Sequence, residues 1–71
     1  MESRVYKVIE LVGTSSESWE AATRAAVETA SKTLRDLRIA EVVKLDATID
    51  DRKVALFRAR LSVSFKYEEP D

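Results

Sequence analysis

The run Lys53–Tyr67, KVALFRARLSVSFKY, decides the fold. Ala55, Phe57, Ala59, Leu61, Val63, Phe65 and Tyr67 fall on one side of an extended chain, with Arg58, Arg60, Ser62, Ser64 and Lys66 on the other. This is the period-two alternation of a strand that turns one face to a core. At ~3.3 Å per residue the run reaches roughly 45 Å, more than twice the length of an ordinary strand. No single partner in a small domain covers that length. The rest of the chain must wrap around the strand, or other subunits must cover it.

Upstream of this run, Asp50-Asp51-Arg52 reads as a polar turn without glycine. The missing glycine predicts a loop of three or more residues, not a two-residue turn. Before it, Arg38–Ile49 reads as a strand. Ile39, Val43, Leu45, Ala47 and Ile49 line one of its faces, and Ala40, Val42, Lys44, Asp46 and Thr48 the other. Earlier still, Gly13-Thr14-Ser15-Ser16-Glu17 reads as a break followed by a helix start. Ser15 or Ser16 is placed to cap the first turn, and Thr14 and Glu17 have capping-box spacing. Trp19, Ala22, Ala26, Ala30, Thr33 and Leu37 then recur at three- and four-residue steps, predicting an amphipathic helix that runs to about Leu37. Its stripe is narrow and rich in alanine, which permits close approach to a sheet. Glu20, Arg24, Glu28, Lys32 and Asp36 form a ladder of alternating charge on the opposite face, worth ~0.3 kcal/mol per pair.

Arg4–Val12 opens the chain as a strand that is apolar on both faces, with Val5, Ile9 and Leu11 on one and Tyr6, Val8 and Val12 on the other. Such a strand is covered on two sides. One helix supplies one cover, so the second has to come from another copy. The predicted architecture is α+β, ordered β-α-β-β, with a three-stranded antiparallel sheet wrapped around one helix.

Composition points the same way. The 71 residues make one domain, 1–71, with an expected ordered core of about 4–67. A domain of this size buries only ~60% of the surface its unfolded chain exposes. Cysteine and histidine are both absent. Disulfides and the usual zinc sites are therefore excluded as staples, and assembly is the device that remains. The commonest general base is missing as well, and no two acids are spaced to share one face of an apolar pocket, so no catalysis is expected. Net charge is −1 with 35% charged residues, which selects neither nucleic acid nor an anionic membrane as a partner. The opening MESRVYKVIELVG has an acid at its second position and lacks a long apolar core, which predicts neither a signal peptide nor a membrane span and makes cytoplasmic the expected location.

VYKVIELVGTS, then SWEAATRAAVETASKTLRDLR, then AEV, then the closing VSFKYE together resemble the dodecin family over about residues 4–68. The resemblance implies a hollow homododecamer of cubic symmetry. In its flavin-binding members a Trp at the start of the second strand stacks on the isoalloxazine ring, and a Gln in the third strand hydrogen-bonds to it. The matching positions here are Ile39 and Arg58. Ile39 has no ring to stack. The wording IAEV and VSFK also resembles a branch of the family that binds calcium.

The implied role is binding and sequestration of a small ligand, flavin (FMN or riboflavin) being that of the family; the alternative is a calcium-binding or purely structural shell. Ile39, Arg58 and Glu41 mark the positions of the family's flavin site, where Arg58 offers a planar fork to an anion or pairs with an acid such as Glu41 across a subunit contact. Asp46, Asp50 and Asp51 offer hard oxygen ligands to calcium, without the spacing of a calcium loop. Arg58, Arg60 and Lys66 make the polar face of the closing strand a candidate for an anion such as a phosphate. Trp19, on the apolar stripe, is assigned to core or interface.

These two departures predict that FMN or riboflavin, titrated with sub-micromolar protein, keeps its fluorescence. Ile39→Trp combined with Arg58→Gln should recover quenching, and no recovery would count against the assignment of the two positions.

Overall fold

In the computed structural model, which describes residues 4–66, the chain runs β1 (Tyr6–Ser15), α1 (Trp19–Ala30), β2 (Leu37–Asp50) and β3 (Lys53–Lys66). The predicted order is found, with β3 in the centre of one antiparallel sheet of order β1-β3-β2. The long alternating run is thus paired on both sides. Tyr67, assigned to its inner face, lies outside the described residues.

The helix packs on β1 and β3 and barely touches β2. Ala22, Ala26, Ala59, Leu61 and Val63 are buried between the layers, with Ile9, Leu11, Val27 and Leu37 packed against them. The seam is built from small residues, and Gly13 is its tightest point. Gly13 is a buried residue within β1, not the break expected there. A Cβ built on it would lie 2.1 Å from the Ala22 carbonyl oxygen and 2.9 Å from the Ala26 Cβ. Glycine is required by this approach of helix to strand, and its φ is not positive.

Ser18 caps the helix instead of Ser15 or Ser16: its Oγ accepts the Ala21 amide at 2.9 Å. Ser15 Oγ accepts the Glu17 amide at 3.0 Å, closing the turn before the helix. The helix also stops at Ala30, about two turns before the end of the apolar stripe. Ser31 Oγ bonds back to the Glu28 carbonyl, and the Lys32 and Thr33 amides reach carbonyls three residues back, which tightens the last turn. Asp36, at φ 57°, then reverses the chain into β2. Leu37 still reaches the core, but as the first residue of a strand. Lys32 and Asp36 consequently fall beyond the helix and do not extend its charge ladder.

The turn between β2 and β3 is shorter than expected. Asp50 pairs with Lys53, leaving Asp51 (φ 51°) and Arg52 (φ 68°) as a two-residue loop in the left-handed region, the pattern of a primed turn made without glycine. Register shifts between Leu37 and Ile39, Val42 and Lys44, and Thr48 and Ile49 interrupt the β2–β3 ladder. Each bends the sheet and changes which side chains face the helix. Because of the shift at Val42–Lys44, Ala40 and Val42 lie across from Val63 and Leu61 on the helix side, whereas Leu45 and Ala47 lie there farther along, across from Ala59 and Phe57. Ile39 therefore does not share a face with Leu45, contrary to simple alternation.

The result is elongated, 55 × 20 × 15 Å with a radius of gyration of 14.9 Å, against about 11 Å for a compact chain of this length. The distal half of the β2–β3 hairpin extends beyond the helix as an arm. We expect Gly13→Ala to destabilise the fold by ~1–3 kcal/mol, since the methyl group meets backbone that cannot yield without moving the helix. Chemical denaturation of the variant and the parent measures this, and equal midpoints would contradict the account of the seam.

Candidate functional site

The candidate residues lie on the outer face of the sheet, away from the helix. Register sets them in rows across the three strands: Val8–Ser64–Ile39, Glu10–Ser62–Glu41, Val12–Arg60–Lys44 and Thr14–Arg58–Asp46. Rows are two residues apart along β3, or ~7 Å. Arg58 and Ile39 share the face but are separated by six residues of β3, ~20 Å. Glu41 is four residues away, ~13 Å. One chain thus does not bring Ile39, Glu41 and Arg58 together.

Within the chain, the acid that meets Arg58 is Asp46. Arg58 Nε donates to Oδ1 at 2.7 Å and Nη2 donates to Oδ2 at 2.9 Å, a two-pronged pair between directly opposed residues. Both carboxylate oxygens are engaged. The hydrogen bonds from Arg58, and then its charge, hold the Asp46 carboxyl below the usual carboxylate range, with Lys44 and Arg60 adding through space. The same pairing raises the Arg58 guanidinium further. The side chains remain 42% and 37% exposed, so solvent screens the pair.

On the other side of β2, Trp19 Nε1 donates to the Asp46 carbonyl oxygen at 2.9 Å. Its ring meets Phe57 edge to face, with centroids 5.0 Å apart and planes at 72°. Trp19 therefore belongs to the packing, tying the helix start to the root of the hairpin arm. Asp46 is held by its backbone from one side and by its side chain from the other. Asp50 and Asp51 stand at the exposed end of the arm. Among the described residues no three acids converge in a group able to hold a metal ion, and no helix is long and apolar enough to cross a membrane.

Much of the remaining surface is apolar. Leu61 and Val63 are the large side chains fully buried among the described residues, whereas twelve large hydrophobic residues are substantially exposed, among them Val8, Val12, Val43 and Val54, with Ile39 at 66% and Ile49 at 75%. Such exposure far exceeds the scattered apolar residues of an ordinary monomer surface. An open groove of about 410 Å³ also runs beside the helix between Ile9, Leu11, Ala26 and Leu34.

These features define a small α+β protein, one helix cradled by a three-stranded antiparallel sheet, with many large hydrophobic side chains left exposed. The family model described as Dodecin matches residues 5–68, and the chain belongs to the dodecin family. It is 47% identical over 66 residues to the dodecin of Thermus thermophilus, covering 93% of this chain and 96% of that one. It is 44% identical over 62 residues to the calcium dodecin of Mycobacterium tuberculosis, covering 87% of each; a solved structure of that protein superposes with a TM-score of 0.83 at 40% identity, covering 94% of this chain and 96% of that one. The solved dodecin of Streptomyces coelicolor superposes with a TM-score of 0.93 at 40% identity, over 99% of this chain and 100% of that one.

Because the folded-state pKa of Asp46 is depressed, the stability it contributes is present above its ordinary pKa of 3.8 and is lost as pH falls through the lower, folded value. Asp46→Asn should therefore melt below the parent at neutral pH, with the difference closing in strongly acid solution. A difference that persists unchanged at acid pH would assign the effect to packing instead of charge.

Proposed function

We propose that this protein is the subunit of a homo-oligomeric shell of twelve copies that binds and holds a small ligand and catalyses no reaction. The observation that carries the reading is the exposed apolar surface of a chain too elongated to cover itself. A 71-residue chain with two large side chains fully buried among the described residues has little core of its own, and the exposed hydrophobic residues of the sheet and hairpin arm offer the missing area. Copies of the same chain are suitable covers, because closed symmetry pairs each uncovered patch with a complementary one.

In this reading the shared site lies where Ile39 of one copy approaches Arg58 of another. Flavin, the ligand expected from the family, is poorly served there. Ile39 gives no aromatic face, and the guanidinium of Arg58 is already engaged by Asp46.

Calcium is the second reading, supported by the resemblance to the calcium dodecin of Mycobacterium tuberculosis. Of its candidate ligands Asp46, Asp50 and Asp51, the first has both carboxylate oxygens engaged by Arg58, and the other two sit at the tip of the arm, where a symmetry axis would turn one acid per chain into several.

Light scattering on the purified protein should give twelve times the 8.0 kDa chain mass, and a folded monomer would overturn the assembly. Melting the same sample with calcium and with chelator separates the two readings of the ligand. A calcium-dependent rise in Tm supports the ion, and superimposed curves remove it.

A further inference from the structure

Among the described residues, two cations on the outer face form no ion pair. Register sets Lys44 directly opposite Arg60, both exposed. Like charges in directly opposed positions repel. The arrangement is made by the register shift between Val42 and Lys44, because without that extra residue Val43 would stand across from Arg60. Bulges of this kind re-aim side chains and are concentrated beside functional sites.

The nearest acid does not relieve the repulsion. Asp46 lies in the adjacent row, but both its carboxylate oxygens are committed to Arg58, the only ion pair among the described residues. Lys44 and Arg60 still act on Asp46 through space, and this places them beside it. The other adjacent row carries Glu10 and Glu41 on either side of Ser62, and neither forms an ion pair with Lys44 or Arg60. Lys44 and Arg60 thus stand between a carboxylate already engaged by Arg58 and a row whose two acids do not pair with them. Val12 completes the row and supplies an apolar flank, 52% exposed.

We propose that Lys44 and Arg60 form a binding site for a phosphate group on the outer face of the sheet, with Asp46 reserving Arg58 so that the two free cations are presented together. A phosphate monoester fits because it brings a charge of about −1.5 to −2 and several acceptor oxygens. Arg60 presents a planar fork of N–H donors to two of these, and Lys44 presents a point charge to a third. Val12 suits a ligand that carries an apolar body next to its phosphate. The site is built within one chain and does not depend on the proposed shell, so its fate and that of the shell are read separately.

The test uses inorganic phosphate and, in parallel, phenyl phosphate at constant ionic strength, followed by ³¹P line broadening and by the rise in Tm of the full-length protein. Both should bind saturably to the parent. Lys44→Gln and Arg60→Gln should each weaken binding about tenfold, the loss of one charge-assisted contact, and the double variant should abolish it. Asp46→Asn frees Arg58 and should tighten binding. Circular dichroism of each variant checks its fold, and Lys44→Gln alone serves if the double variant does not fold. No saturable binding, or equal binding by parent and Lys44→Gln, overturns the proposal. So does the finding by light scattering that Lys44→Gln breaks an assembly that fails to bind phosphate, because an acid from a second copy would then be the counter-charge.

Discussion

The contact of Gly13 with the Ala22 backbone fixes how closely the helix lies on the sheet, and the rest of the structure follows from that distance. A helix this close buries its alanines against Ala59, Leu61 and Val63 but cannot spread over three strands. It covers β1 and the adjoining part of β3 and leaves most of β2 and the whole arm bare. Dispersion and apolar burial at the seam are efficient per unit of contact, and the total is small. The exposed valines and isoleucines are the consequence of a short helix whose buried face is limited to alanines.

The order of elements and the sheet's partners were legible because they rest on periodicity over long runs. Leu61 and Val63 alternate with Ser62 and Ser64 so regularly that only a strand accommodates them. The close packing at Gly13 was less legible, since a glycine beside Thr and Ser has the composition of a turn. Only the distance to Ala22 distinguishes a break from a close approach. The end of the helix is masked in the sequence for a related reason: Thr33 and Leu37 continue the spacing of the stripe, while the hydroxyls of Ser31 and Thr33 hydrogen-bond to backbone carbonyls where the helix ends.

The candidate site was legible in its residues and not in its geometry. Arg58 stands out in the sequence, but its partner Asp46 does not, because the pairing depends on register. A plain two-residue turn at Asp51-Arg52 would set Leu45 opposite Arg58. The shift between Thr48 and Ile49 moves the ladder by one residue and brings Asp46 there. A one-residue slip exchanges a hydrophobic neighbour for an ionic one, and nothing in the local sequence announces it. The same sensitivity separates Ile39 from Leu45 and sets Lys44 beside Arg60. Trp19 then gives Asp46 a second anchor, through its carbonyl, so that helix, hairpin and ion pair meet at one residue.

The central place of β3 also has a consequence for how the chain reaches this structure. The β2–β3 hairpin closes across two residues, whereas β1 meets β3 through pairs as distant as Tyr6 and Lys66, sixty residues apart. Loop-closure entropy favours the local pairing first, with the distant one waiting for a formed edge. On a ribosome β1 emerges early and stays without its strand partner until the chain has been made through Lys66. Throughout that interval its unpaired edge and the face turned away from the helix are open to water, so the segment that completes the sheet is also one exposed to misassociation during synthesis.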